Sequence, residues 1–476
     1  MADTPEKPSV LPELLALEAV TTEHEINGWK YSVTVGTLPL SDNAGKPEAA
    51  IFYTAYTKAG YEPGERPLMF SFNGGPGSSS VWLHLGALGP KRVKLEPKGD
   101  MPAPPFMLVD NPDTWLEHCD LVFIDPVGTG YSRAEDEEKS KKFWSLNGDV
   151  ESVAEFIRLY LTRAKRWASP LYIVGESYGT TRAAALSSYL VNRGIALNGI
   201  ILVSSILNFQ TARFHKGNDL PYIVFLPTYA ATAWYHGALT GFASLEQVLK
   251  EAEEFALGDY TLALAQGDRL TSEARSSVIA KLRRLTGLSP EFIDNSDIRI
   301  EIQRFCKELL RNQKRTVGRL DSRFKGIDEL AVNESPQHDP SMSSIVPPYT
   351  ATINDYLTRT LGWTTDLPYH VFNPGELWKH WSYGDASQGH PDTSESLREA
   401  ISKNPHMRIL IASGYYDLAT PYFATEFTVA HLGLDPTLRK NIETRYYEAG
   451  HMMYVHEGCL SQLAQDLAGF ISPTTS

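Results

Sequence analysis

Five short runs along the chain are almost continuously apolar rather than alternating. They are Leu68-Met69-Phe70-Ser71-Phe72, Leu121-Val122-Phe123-Ile124, Leu171-Tyr172-Ile173-Val174, and the stretches 199–203 and 408–412. A strand covered on both faces reads this way, whereas a half-exposed one alternates. Ahead of them, 31–36 and 50–56 are rich in β-formers and predict an antiparallel pair. Residues 149–166, between the second and third apolar runs, repeat apolar positions at helical spacing. Buried strands alternating with helices predict an α/β fold with a mostly parallel central sheet. Residues 1 to about 25 are rich in proline and glutamate and read as a loosely held arm.

The rhythm changes over 211–387. Apolar runs stop, and amphipathic stretches take over at 245–257, 272–285 and 298–313. The simplest reading is a helical cap inserted between two strands, dividing the chain into a first core part (1–212), the cap (213–384) and a second core part (385–476). Tyr222, Phe225, Tyr229, Trp234 and Tyr235 mark the entrance to this insertion, and aromatics there serve either a packed core or a pocket wall. Tyr229 is the candidate pocket residue among them.

Composition narrows the function. With 42% hydrophobic and 21% charged residues the 476-residue chain is an ordinary globular one, large enough to bury a sizeable core. Its net charge of -13 leaves no basic surplus to neutralise phosphates, so nucleic acid is not an expected partner. The run Glu135 to Lys142 mixes both signs and reads as a solvated loop or helix face, and Arg163-Ala164-Lys165-Arg166 as the basic end of a helix. No apolar stretch reaches membrane-spanning length, so no membrane is expected. Residues 1–8 carry neither a basic nor an apolar signal segment, although a signal already removed would look the same. Cys119, Cys306 and Cys459 are too few and too scattered for a disulfide framework. That usage fits a reducing compartment, or a secreted chain that does without bridges, and the oligomeric state is open between monomer and homodimer.

Candidate chemistry begins at Gly175-Glu176-Ser177-Tyr178-Gly179. A β-branched run leads in and Thr180 to Leu186 leads out with helical composition, the strand–turn–helix context of a nucleophile elbow. A serine hydroxyl needs a base to take its proton and an acid to orient that base. Downstream, the 408–414 run ends near Asp417, and Thr444-Arg445-Tyr446-Tyr447 leads to Glu448-Ala449-Gly450-His451. Ser, Asp, His is the chain order of the α/β-hydrolase triad. Upstream, Asn73-Gly74-Gly75-Pro76-Gly77 follows the Phe72 run, where backbone amides can face a developing oxyanion together with the amide of Tyr178.

Four motifs together, Asn-Gly-Gly-Pro-Gly at 73–77, Asp-Pro-Val-Gly-Thr-Gly-Tyr-Ser at 125–132, Gly-Glu-Ser-Tyr-Gly at 175–179 and Gly-His-Met at 450–452, resemble the serine carboxypeptidase family. The resemblance implies an α/β-hydrolase fold and release of the C-terminal residue of a peptide substrate through an acyl-enzyme, without metal or organic cofactor. It places Ser177 as nucleophile, His451 as base and Asp417 as its orienter, with Gly75 and Tyr178 giving the oxyanion amides. Asn73, Gly74 and Glu176 would hold the substrate carboxylate, and Met452 would line the pocket. Glu176 beside a carboxylate must be protonated to attract it, which calls for a raised pKa or acidic solution. The sequence departs from the family pattern at Ser78 and Ala87, where a bridge-forming cysteine and a second glutamate are common. It departs again at Thr420-Pro421 and Met453-Tyr454, in place of Cys-Asn and Val-Pro. An acyltransferase or esterase would keep the same catalytic residues, whereas a non-catalytic binding module would be expected to have lost one of them.

Overall fold

The computed structural model describes residues 9–384 and 389–471. Nine strands, β1 (Val20–Ile26), β2 (Trp29–Ser41), β3 (Pro47–Lys58), β4 (Leu68–Phe72), β5 (Asp120–Ile124), β6 (Leu171–Glu176), β7 (Gly199–Val203), β8 (Arg408–Gly414) and β9 (Ile442–Tyr447), lie in the order β1-β2-β3-β5-β4-β6-β7-β8-β9. The short pair of residues Arg133–Ala134 adds a tenth strand beside β3. Pairing is antiparallel from β1 to β5 and parallel from β5 to β9. The five apolar runs are the five central strands, and β4 to β7 are buried at every position. Helices on both faces bury them. Leu146–Arg163, Tyr178–Val191 and Ser394–Lys403 close one face; Pro340–Asp355 and Glu457–Ile471 close the other. This is the mostly parallel α/β sheet that the alternation predicts, in the α/β-hydrolase fold that the motif resemblance implies.

The arm reading is corrected over the described residues. Helix Leu11–Ala16 buries Leu11 and Leu14 against Ala50, and β1 pairs with β2 along its whole length. Every other β1 residue before Ile26 is exposed, so a Thr- and Glu-rich edge strand carries little apolar signal. The remainder of the arm, residues 1–8, lies outside the described residues. The charged run is the surface helix Glu137–Phe143, N-capped by Asp136.

Two different packing units make up 213–384. Helices Leu220–Tyr235, Leu245–Phe255 and Ser272–Thr286 gather around their own apolar cluster, which also takes in Leu418 and Tyr422 of the core. The stretch 298–313 is not one helix: Glu301 caps a helix of only Ile302–Glu308, followed by a single 3-10 turn. From Pro340 onward the chain returns to the sheet, where Ile345, Tyr349, Tyr356 and Trp363 pack in the same cluster as Phe123 and Trp82. The helical insertion proper therefore ends well before residue 384.

The basic end of the Leu146–Arg163 helix is partly interior. Arg166 and Arg66 both pair with Asp120 at the start of β5, at 2.7 and 3.0 Å, and all three side chains are buried. Replacing Asp120 by alanine leaves two guanidinium groups buried without a counter-charge, a loss of about 3–5 kcal/mol. Urea denaturation of Asp120→Ala is expected to show that drop, and a midpoint within error of the unaltered protein would refute this account.

Candidate active site

Loops leaving the carboxyl ends of the parallel strands converge on one cavity of about 630 Å³, the edge at which open α/β sheets bind ligands. Ser177 follows β6 directly, with φ +60° and ψ −129°. A non-glycine residue holds that conformation only where its surroundings fix it. Here the Ser177 N–H donates to Val203 O of β7 at 3.0 Å, and Thr180 N–H donates to Ser177 O at 2.8 Å. The flanking glycines allow the tight turn: a Cβ on Gly175 would lie 2.2 Å from Gly179 O. Ser177 Oγ makes no hydrogen bond among the described residues and lines the cavity.

The loop after β4 lies against this elbow. A Cβ on Gly74 would meet the Tyr178 nitrogen at 2.5 Å, so only glycine lets the two backbones approach. Gly75 follows with φ +107°. Asn73 Oδ1 accepts from Leu83 N–H at 3.1 Å, while its Nδ2 is buried with no partner. Its carbonyl accepts from Arg182 Nη1 at 2.7 Å, and Arg182, itself buried, pairs with Asp149. Asp149 also accepts from the Tyr178 hydroxyl at 3.0 Å. One buried ion pair thus ties the Asn73 loop to the elbow helix. Ser78, at the position of the absent cysteine, accepts from Trp82 Nε1 at 2.7 Å.

His451 Nδ1 donates to Asp417 Oδ2 at 2.7 Å, and both side chains are buried. Burial alone would lift the Asp417 pKa and lower that of His451, but their mutual attraction and hydrogen bond outweigh it. Asp417 is held below and His451 above its usual value. Asp417 also accepts from the N–H groups of Ala419 and Thr420, at 2.7 and 3.0 Å, and from Thr420 Oγ1 at 2.7 Å. The hydroxyl at 420 therefore supplies a bond that a cysteine would make only weakly.

A strap from the insertion, residues 319–323, holds both loops. Leu418 N–H donates to Arg319 O at 3.0 Å and His451 N–H to Leu320 O at 2.7 Å. Ser322 N–H donates to Tyr416 O at 3.0 Å, and Gly450 N–H to Asp321 Oδ2 at 3.1 Å. Arg323 neutralises Asp321 in turn.

Glu176, the residue before Ser177, is buried and accepts from the Tyr454 hydroxyl at 2.5 Å. Removal from water lifts its pKa to about 7, against the opposing pull of His451 and the Tyr454 hydrogen bond. The irregular turn His84–Leu88 makes room for this arrangement: a Cβ on Gly86 would lie 2.5 Å from the Tyr454 ring.

Of the residues singled out in the sequence, Asn73, Gly74, Gly75, Glu176, Ser177, Tyr178, His451 and Met452 line the cavity, and Asp417 stands behind His451. Tyr229 does not line it. Its ring stacks on Phe305 at 4.1 Å and its hydroxyl donates to Ile300 O, so it belongs to the core of the insertion. The roles of Tyr454 and the strap are not legible in the sequence because their partners are distant in it; Thr420 lies three residues from Asp417, but a threonine there carries no signal of its bond.

A family model described as serine carboxypeptidase matches residues 40–460. The chain belongs to the serine carboxypeptidase family. Within the family's curated relatives, serine carboxypeptidase-like 5 of Arabidopsis thaliana is 32% identical over 30% of this chain and 33% of its own length. Serine carboxypeptidase-like 2 of the same plant is 29% identical over 37% of this chain and 42% of its own. Those matches thus span a third to two-fifths of the relatives. A crystal structure of a prohormone-processing carboxypeptidase from Saccharomyces cerevisiae superposes with a TM-score of 0.56 at 15% identity, covering 93% of this chain and 91% of that one.

The Thr420 hydroxyl bond to a charged acceptor gives a direct test. Thr420→Val is expected to slow fluorophosphonate labelling of Ser177 roughly tenfold, the size of one charge-assisted hydrogen bond. Thr420→Ser should restore the rate. Equal rates in all three proteins would remove Thr420 from the support of Asp417.

Proposed function

We propose that this protein is a serine carboxypeptidase that removes the last residue of peptides through an acyl-enzyme. Ser177 Oγ attacks the carbonyl of the last peptide bond as His451 Nε2 takes its proton, and Asp417 fixes the imidazole and balances its charge. The N–H groups of Gly75 and Tyr178, without acceptors among the described residues, receive the oxyanion. Collapse of the tetrahedral intermediate breaks the C–N bond as His451 returns the proton to the leaving amine. Water, deprotonated by His451, then attacks the ester and restores Ser177.

The observation that carries the reading is Glu176. A carboxyl group buried next to the nucleophile, and kept largely neutral in acidic solution, can donate a hydrogen bond to a substrate carboxylate. The Asn73 amide, buried beside Glu176, offers a second donor. The Tyr454 hydroxyl holds Glu176 in place.

Two ionisations then shape the activity. Below the raised pKa of His451 the base is protonated and activity falls. Above about pH 7 Glu176 ionises and repels the substrate carboxylate, so peptidase activity falls again. An ester or amide without a terminal carboxylate should lack this alkaline limb.

An N-blocked dipeptide and its C-terminal amide, offered at pH 5–8 to the protein and to Ser177→Ala, test the reading. Release of the last residue is expected from the free acid alone and not with Ser177→Ala. Equal cleavage of acid and amide would mean that the carboxylate is not read, and turnover of esters alone would favour an esterase or acyltransferase.

Glu176→Gln should flatten the alkaline limb. Tyr454→Phe removes a hydrogen bond that favours the ionised form, so the limb should move to higher pH. An unmoved limb in both variants would exclude Glu176 as its origin.

A further inference from the structure

Two cations face the cavity without an ion-pair partner among the described residues. Its acidic, basic and histidine lining is Glu176, Arg213, Arg319, His338, Asp339 and His451. Glu176 is engaged by Tyr454. Asp339 is engaged as well: its Oδ2 accepts from Leu320 N–H at 3.0 Å, and its Oδ1 from the N–H and hydroxyl of Ser341. Neither Arg213 nor Arg319 has an acidic partner among the described residues, and both are exposed. That is unusual company in a chain with 57 acidic and 44 basic residues.

Their placement differs. The Arg213 guanidinium lies 5.6 Å from the Phe209 ring centroid, and its charge favours ionisation of Tyr383, although burial raises that hydroxyl's pKa overall. Tyr383 touches both Phe209 and Tyr178, with ring centroids 5.2 and 6.3 Å apart. This aromatic wall starts at the residue after the nucleophile, whose amide would bind the carbonyl oxygen of the acyl group, and it ends at Arg213. Arg319 belongs to the strap, with its backbone bonded to Leu418, and its charge disfavours protonation of His451. Of the two arginines it is the one whose charge is felt at the imidazole, the group that serves the leaving amine.

Unneutralised guanidinium groups at a concave, partly aromatic surface focus a positive potential and recruit anions. They also offer forked donors that match a carboxylate. The terminal carboxylate already has its seat at Asn73, Gly74 and Glu176, so the arginines are left for side chains. We propose that Arg213 and Arg319 make this cavity a site for acidic peptides, Arg213 binding a carboxylate side chain in the penultimate residue and Arg319 one in the last. The peptide register rests on the carboxypeptidase reading above.

Matched N-blocked dipeptides carrying Glu or its isostere Gln, at either position, isolate the charge from size. Binding is measured by calorimetry on the Ser177→Ala protein, and kcat/KM on the unaltered one. At each position Glu is expected to exceed Gln roughly tenfold in both measurements, and the ratio should shrink with added salt. Arg213→Gln should bring the penultimate ratio to about one while leaving the ratio at the last position, and Arg319→Gln should do the reverse. Arg213→Glu should turn the penultimate preference toward Lys.

Glu and Gln peptides that bind alike overturn the acidic-peptide proposal even if both are hydrolysed. Preferential binding of the Glu peptides without hydrolysis would support the two arginines and instead defeat the carboxypeptidase reading.

Discussion

The hydrogen bonds from the 319–323 strap to the loops of Asp417 and His451 are the constraint on which the rest of the site depends. The sheet delivers the two residues to a common edge, but each stands several residues beyond the end of its strand, where a loop backbone has many conformations to lose. Leu320 O fixes the His451 backbone, Arg319 O that of Leu418, and Ser322 that of Tyr416. The imidazole and carboxylate can then meet at 2.7 Å without either loop being built from regular structure. The insertion in this respect supports the Asp417–His451 pair as well as forming a wall of the cavity.

A second buried network performs the corresponding task around Ser177. Arg182 and Asp149 join the Asn73 carbonyl to the Tyr178 hydroxyl, so the loop after β4 is tied to the elbow. Breaking such a pair costs far more than its formation contributes, because the surviving charge is stranded away from water. Glu176 represents the opposite solution. It has no cation bonded to it, only Tyr454, and stays neutral over the acidic range. Packing makes this possible: Gly86 leaves space for the Tyr454 ring.

The features legible in the sequence are those dictated locally. Continuous apolar runs became the central strands because burial on both faces leaves no polar alternation. The elbow was legible from its two glycines, and Asp417 and His451 from their distance past a strand. β1 was missed because an edge strand can be built from Thr and Glu when one face remains in water. Tyr229 was misplaced because an aromatic in a helix does not say which side its neighbours will cover. Thr420 and Tyr454 were visible only as departures from a pattern. Their roles rest on bonds to Asp417, Ser204 and Glu176, and the last two contacts close loops of more than 200 residues.

Gly450 has a consequence for how such a chain can be recombined. A side chain at 450 would place its Cβ 2.4 Å from the Cβ of Asp321, so a residue of the insertion occupies the volume vacated by the glycine before His451. Core and insertion are therefore fitted to each other here so closely that not even a methyl group could be added. A chimera that grafts the helical insertion of one relative onto the sheet of another must choose its crossover points so that 318–323 and 448–451 come from the same parent. Otherwise the hybrid can fold in both halves and still present a misaligned imidazole.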